Sequence, residues 1–309
     1  MGKIEVFGGV KEKWEMLNKK NRVEAVKRLE KTINNYEYQK GYMITQSEKL
    51  YASRIMLNEQ IKTVWEFLNN MRNKPEEFEV KVEKIKVEFK KFNNFIQEIN
   101  EEVEATFKKT AGSLGGGIAA GAGVAAFGPS AAMAIATTFG TASTGTAIST
   151  LSGAAATNAA LAWLGGGALA AGGGGTAAGT ALVALSGPIG WAIGGVSLAG
   201  ASLLLNSKNK KIANEARYKG IELEKQIAML KGTSEEIIET NELTNNTLEL
   251  LNPYFTNILD RTSKYKMDYQ LILKAKDEDL INDLGSLINQ TNGAIQLLNR
   301  VIGKEVNND

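Results

Sequence analysis

"FEVKVEKIKVEFKKFNNFIQEINEEV", residues Phe78 to Val103, sets apolar side chains at Phe78, Val82, Ile85, Phe89, Phe92, Ile96, Ile99 and Val103. The steps alternate four and three, which is the a/d seam of a coiled coil or a long bundle helix, held for almost four heptads. Just upstream, Leu57, Ile61, Val64, Leu68 and Met71 keep the same rhythm, and Val23, Val26, Leu29 and Ile33 make a shorter stripe. Between the two longer runs lies "NKPEE". Pro75 cannot continue a helix but fits a first turn, and Glu76 and Glu77 suit the positive end of the helix that follows.

The other end of the chain repeats the design. Leu223, Ile227, Leu230 and Ile237 share one stripe, Leu248 and Leu251 lead up to Pro253, and a further run uses Leu280, Leu284, Leu287, Ile295, Leu298 and Ile302. Asn241 and Thr244 fall on seam positions, where polar groups weaken packing but fix register. They read either as two ordinary solvated turns or as a place where a helix later lets go. No short-period alternation of strands appears in these flanks. The expected fold is therefore all-α: an elongated antiparallel helical bundle or coiled coil. Its helices of about 34 to 50 residues would be roughly 50 to 75 Å long, joined at the proline breaks and through the centre.

The centre is different in kind. From Thr110 to Ser207, 98 consecutive residues carry no charge and hold 23 of the 32 glycines, including "LGGGALAAGGGGTAAG" at Leu164–Gly179. The chain thus divides into amphipathic helices at 1–109, an uncharged glycine and alanine region at 110–207, and completing helices at 208–309. A solvated linker would be padded with serine, proline and charge, whereas this stretch contains "IAAGAGVAAF" and "GWAIGGVSLAGASLLL". Gly121–Ala126 fits G-x-G-x-x-A, but no strand precedes it and no acidic residue follows within the uncharged region. The glycines at Gly174 and Gly179 have phosphate-loop spacing without the lysine that would reach a phosphate.

A membrane reading accounts for more. Small residues recur every fourth position at Ser113, Gly117, Gly121 and Ala125, and again at Gly167, Ala171, Gly175 and Gly179. That glycine-zipper spacing lets helix backbones approach closely in lipid. Thr180–Leu205 is long enough to cross a hydrocarbon core of about 30 Å, as is Ile118–Phe139. Ten Leu, Val and Ile residues give the former only about −3 to −6 kcal/mol toward insertion, so the spans are marginal. Marginal apolar segments can be hidden in a folded protein and exposed later. Trp163 and Trp191 suit a membrane interface, and Gly187-Pro188 a kink or turn. Lys108 and Lys109 before the region, and Lys208, Lys210 and Lys211 after it, are placed to meet headgroups and to keep both ends on one side.

Composition excludes much else. There is no cysteine and no histidine, which removes disulfides, thiolate nucleophiles, imidazole bases and the usual zinc sites. Acidic pairs such as Glu101-Glu102 and Glu235-Glu236 suit solvated helix faces better than acid-base catalysis. No enzyme, metal or cofactor is expected. With 36 basic and 34 acidic residues intermixed in the flanks there is no stripe for nucleic acid. The start of the chain has no signal-peptide pattern, so synthesis in the cytoplasm and action at a membrane are expected.

The heptads at Phe78–Val103, the uncharged Thr110–Ser207 and "LSGPIGWAIGGVSLAG" at Leu185–Gly200 together resemble the layout of helical pore-forming toxins of the cytolysin A and haemolysin BL type. The plan is also similar to that of apolipoprotein L. The resemblance covers the whole chain as layout, without a motif that maps residue by residue, and 98 uncharged residues exceed the short hairpin of the cytolysin-like families. It implies a protein folded in water that inserts into lipid after a conformational change and self-assembles, with or without a partner protein held by the coiled coils. The alternative reading is a constitutive membrane-tethered coiled-coil scaffold of phage or secretion-system type.

Overall fold

The heptads form helices, and longer ones than their apolar stripes suggest. The computed structural model describes residues 2–112, 134, 206–300 and 302. They fold as α1 (Gly2–Asn70), α2 (Glu76–Gly112), α3 (Asn206–Ser263), α4 (Tyr269–Ala275) and α5 (Glu278–Leu298). Among the described residues the only β pairing is a single bridge between Arg72 and Asp268, so this part of the chain is all-α. At roughly 1.5 Å per residue, α1 with 69 residues reaches about 100 Å and α3 with 58 about 87 Å.

Along α1 the buried line runs through Ala25, Leu29, Thr32, Tyr36, Lys40, Met43, Ser47, Leu50, Arg54, Leu57, Ile61, Val64, Leu68 and Met71. From Met43 onward its steps alternate four and three without a break. Thr32, Tyr36 and Lys40 stand two successive four-residue steps apart, a stutter that locally unwinds the repeat. The expected stripe at Val23 is off this line. Val23 is 52% exposed, and the smaller Ala25 faces α3 instead, across a groove it lines with Ala216 and Gly220.

On α3 the line passes through Ala213, Ala216, Gly220, Leu223, Ile227, Leu230, Ser234, Ile237, Thr244, Leu251, Phe255, Ile258 and Thr262. The helix continues through Pro253, where the sequence suggests a break. Pro253 is exposed, so its missing N–H falls on the solvent side, while buried Leu251 and Phe255 on either side hold the turn in place.

Contacts between helices set their directions. α2 turns back along α1: the Asn58 amide donates to Asn93 at 2.7 Å, and Trp65 meets Phe89 with ring centroids 5.3 Å apart. α3 runs parallel to α1, since Arg28 pairs with Glu224 at 3.2 Å and Phe67 meets Phe255 at 5.3 Å, in the same order along both helices. The α1–α3 pair thus departs from the antiparallel order expected of the long helices, an order that α2 keeps against α1. An antiparallel order follows from short connections, whereas α1 and α3 are separated by a whole helix and the uncharged segment. α5 then runs antiparallel to both, from Asp283 beside Tyr254 and Arg261 down to Arg300, whose carbonyl accepts from Arg54.

Four helices and the short α4 share one core above Arg54, in which Leu57, Ile61 and Leu68 meet Phe78, Ile85, Phe255, Ile258, Leu284 and Leu287. Its end is closed by a polar apex. The Arg72 N–H donates to the Met267 carbonyl at 2.8 Å and the Tyr269 N–H to the Arg72 carbonyl at 2.9 Å, tying the α1–α2 turn to the α3–α4 turn. Asn73, Lys266 and Met267 take left-handed backbone to make these turns, and Lys276 does so where α4 ends. Asp268 caps α4 by accepting from the Gln270 and Leu271 N–H groups and also accepts from Asn73, and Asp277 caps α5 by accepting from the Leu280 N–H. Arg261 bridges Asp277 and Asp283. Burial pushes the Asp268 carboxyl up, but its bonds from Asn73 and the backbone and the charge of Arg72 outweigh this and hold it below the usual value. The Leu280 N–H, followed by Tyr265 and Arg261, holds Asp277 down as well.

Leu284→Ala, which opens a cavity in the shared core, is expected to lower unfolding free energy by about 2–5 kcal/mol in urea titrations. Val80→Ala on the exposed face of α2 should change it by no more than about 0.5 kcal/mol. The apex carboxylates make a second expectation. Because their folded values lie below the ordinary 3.8, the stability they supply is present above that pH and is lost as pH falls through the folded values. Stability measured against pH should therefore drop below about pH 4, and the drop should be shallower in Asp277→Asn. An acid limb of unchanged steepness in that variant would assign it to other groups.

Candidate functional site

Most residues singled out by sequence, Gly117, Gly121, Trp163, Gly167, Gly175, Gly179, Gly187, Pro188 and Trp191, lie outside the described residues. What the structure supplies is the frame on either side of them. Lys108 and Lys109 lie near the end of α2 and Lys208 in the first turn of α3. Lys210 and Lys211 are exposed, with Lys211 at 4.0 Å from Glu215. Because α2 is antiparallel and α3 parallel to α1, the chain leaves α2 heading away from the apex and re-enters at the end of α3 that lies away from it. Among the described residues no helix is long and apolar enough to cross a membrane.

The seam that joins α1 to α3 changes character along its length. Near the apex it is apolar, from Leu57 to Met71. Between the Arg28–Glu224 and Phe67–Phe255 contacts polar groups enter it on both sides, with Lys40, Gln46, Ser47, Ser53 and Arg54 buried on α1 and Thr233, Ser234, Thr240 and Thr244 on α3, among the apolar Met43, Leu50, Leu230 and Ile237. The hydroxyls look inward along their own helices. Ser47 donates to the Met43 carbonyl at 3.0 Å, Ser234 to Leu230 at 2.7 Å and Thr244 to Thr240 at 2.7 Å. Such bonds satisfy the side chain without joining the two helices, so they survive if the helices part. The side-chain oxygens of Asn241 and Gln226 and the Thr240 hydroxyl are buried with no hydrogen-bond partner among the described residues, and water would satisfy them on separation.

Two cations are enclosed in the same stretch. Lys40 is almost fully buried, 3.9 Å from Glu37, and burial lowers it against the opposing charge of Glu37. Arg54 is also buried, and desolvation followed by the charge of Arg300 brings it down to about 10. Its guanidinium donates to the Arg300 carbonyl just beyond α5, where the negative helix end favours a cation. Arg54 therefore marks a boundary, with the shared core of the helices above it and the polar α1–α3 seam below.

Sequence inspection found Asn241 and Thr244 but missed Lys40 and Arg54, because a stripe defined by apolar residues stops where the seam turns polar. The four-and-three spacing through Met43, Ser47, Leu50, Arg54 and Leu57 was the signal that could have revealed them. Farther down, α1 and α3 leave a groove of about 360 Å³ floored by Ala25, Leu29, Ala216 and Gly220, with Arg28 and Glu224 paired at its rim. No group of His, Cys, Asp or Glu among the described residues could hold a metal ion. Comparison with protein-family models, curated proteins and solved structures finds no match for this chain.

A seam held closed around a buried cation is expected to tighten when the charge is removed. Lys40→Leu combined with Glu37→Gln replaces the pair by neutral side chains and should raise unfolding free energy by about 1–4 kcal/mol, read as a higher Tm. A lower Tm would mean that the pair holds the helices together.

Proposed function

We propose that this chain is a non-enzymatic, membrane-inserting α-helical protein that forms pores, acting as a toxin or cell-killing effector. In this reading α1 to α5 form a coiled-coil bundle that keeps the uncharged region from lipid until contact with a membrane. α3 then parts from α1 along the polar seam, and the released segments assemble through the faces of Gly117, Gly121, Gly167, Gly175 and Gly179. Trp163 and Trp191 would sit at the interface, Gly187-Pro188 would turn the chain, and Lys108, Lys109, Lys208, Lys210 and Lys211 would meet headgroups.

The observation that carries the reading is a conjunction. A stretch of 98 uncharged residues is inserted between two helices whose far ends lie away from a locked apex, and one of them joins α1 through a seam whose buried hydroxyls bond within their own helix. A constitutive membrane-tethered scaffold is the second reading, favoured by the length of the α1–α3 pairing, which suits a spacer. The two differ in handling: a conditional inserter purifies without detergent, whereas a tether requires it throughout.

The cysteine-free chain allows a direct test. Ala25→Cys and Gly220→Cys place thiols on opposite walls of one groove, and Gly220 has open space for a side chain. Joined by a reducible bismaleimide, this protein should release no dye from liposomes, and reduction should restore release to the wild-type level. Equal leakage from the linked and reduced forms would rule out seam opening. A detergent-free wild-type preparation that never leaks dye would rule out the pore.

A further inference from the structure

The parallel order of α1 and α3 brings two basic stretches, far apart in sequence, to one end of the molecule. Residues 14–31 and 206–219 together contain eleven basic and four acidic residues, in a chain that totals 36 and 34. The remainder is therefore net acidic, and the charge is polarised along the helix pair. That both stretches share an end follows from the groove between Ala25 and Gly220 and from the Arg28–Glu224 pair just above it. Lys19, Lys27, Lys31, Lys210 and Arg217 are exposed and form no ion pair among the described residues. Lys20 and Lys211 make only long, exposed contacts at 4.0 Å to acids one turn away, which water and salt screen.

The same end also exposes large apolar side chains. Trp14 is 58% exposed and Tyr218 67%, and Met16, Leu17, Val23 and Ile221 are uncovered beside them. On α1, Met16, Lys20, Val23 and Lys27 recur at helical spacing on one face, turned from the line through Ala25 and Leu29. On α3, Lys210, Arg217 and Ile221 do likewise. Lysines interleaved with a phenol and aliphatic side chains suit a surface with anionic headgroups above an apolar layer, and the exposed Trp14 indole, on the Ala25 side of α1, lies at the same end. A phosphate backbone would use the charge and leave the apolar groups in water.

We infer that the paired N-terminal parts of α1 and α3 form a docking surface for anionic phospholipid, which stands the molecule on the membrane with its apex outward. This rests on the lipid reading above and adds to it the orientation, the α1 residues and the lipid class. Docked this way, the start of α3, and with it the junction to the uncharged region, is delivered at the bilayer surface before the seam opens.

The test is sedimentation of the full chain with phosphatidylcholine vesicles, alone or mixed with phosphatidylglycerol. Binding should need the anionic lipid and weaken with salt. Lys19→Glu with Lys27→Glu should lower it by at least about 25-fold, at roughly fivefold for each lysine removed. Trp14→Ala should weaken it further, and helicity by circular dichroism should be unchanged in each variant. Lys274→Glu near the apex, which alters charge away from this surface, should bind as wild type. Equal binding to neutral vesicles, an equal loss from Lys274→Glu, or tighter binding to RNA than to vesicles would each overturn the inference. Intact anionic binding with no dye release would support the docking surface and remove the pore, so the two readings fail separately.

Discussion

Two helices of 69 and 58 residues can share a seam only while their repeats stay in step, and the rest of the structure follows from how α1 and α3 meet that constraint. Their parallel pairing is long range, joining Arg28 to Glu224 and Phe67 to Phe255 across nearly two hundred residues of chain. It is stiffest near the apex, where α2 and α5 add Phe78, Ile85, Leu284 and Leu287 to the same core. Farther from the apex serines, threonines and a lysine alternate in the seam with Leu29, Met43, Leu50, Leu223, Leu230 and Ile237. A uniformly apolar seam would hold more tightly. The polar one fixes alignment and remains separable.

The apex supplies what the seam lacks. Arg72, Asn73 and Asp268 knit two turns, and Asp277 and Arg261 anchor the start of α5, so the closed end is set by directional bonds between groups with few alternative partners. Stability is then unequally distributed, high at the lock and core and low toward the far end of the pair. Segments that must move are expected to lie where buried apolar contacts are sparse and hydrogen bonds turn inward along their own helix.

Much of this was readable beforehand in the apolar repeats. Phe78, Val82, Ile85, Phe89 and Phe92, like Leu57 to Met71 and Leu280 to Leu298, are buried where their spacing places them. Pro75 separates two helices because it opens the second one, with Glu76 and Glu77 in the first turn. Pro253 does not separate two helices, because a proline on a solvent-facing side loses a bond that packing can outweigh. Three features were hidden for physical reasons. Periodicity carries no sign of direction, so it could not distinguish parallel from antiparallel partners. Lys40 and Arg54 read as surface residues, since only tertiary packing encloses them, with the end of α5 at Arg300 meeting Arg54. Val23 looked like a better core residue than Ala25, but the close approach of α3 at Ala216 and Gly220 favours the smaller side chain.

Arg54 acquires another meaning from its position on α1. Above it the helix is clamped on several sides, and below it about 50 residues extend toward the N-terminus, roughly 80 Å of helix. Clamped at one end and paired below it through a seam of mixed polar and apolar groups, α1 has the mechanics of a lever with Arg54 as fulcrum. A splay of about 10° there would part α1 from the start of α3, roughly 65 Å away, by about 11 Å, close to the width of a helix. A displacement of a few ångströms around one guanidinium would thus become a large opening at the opposite end.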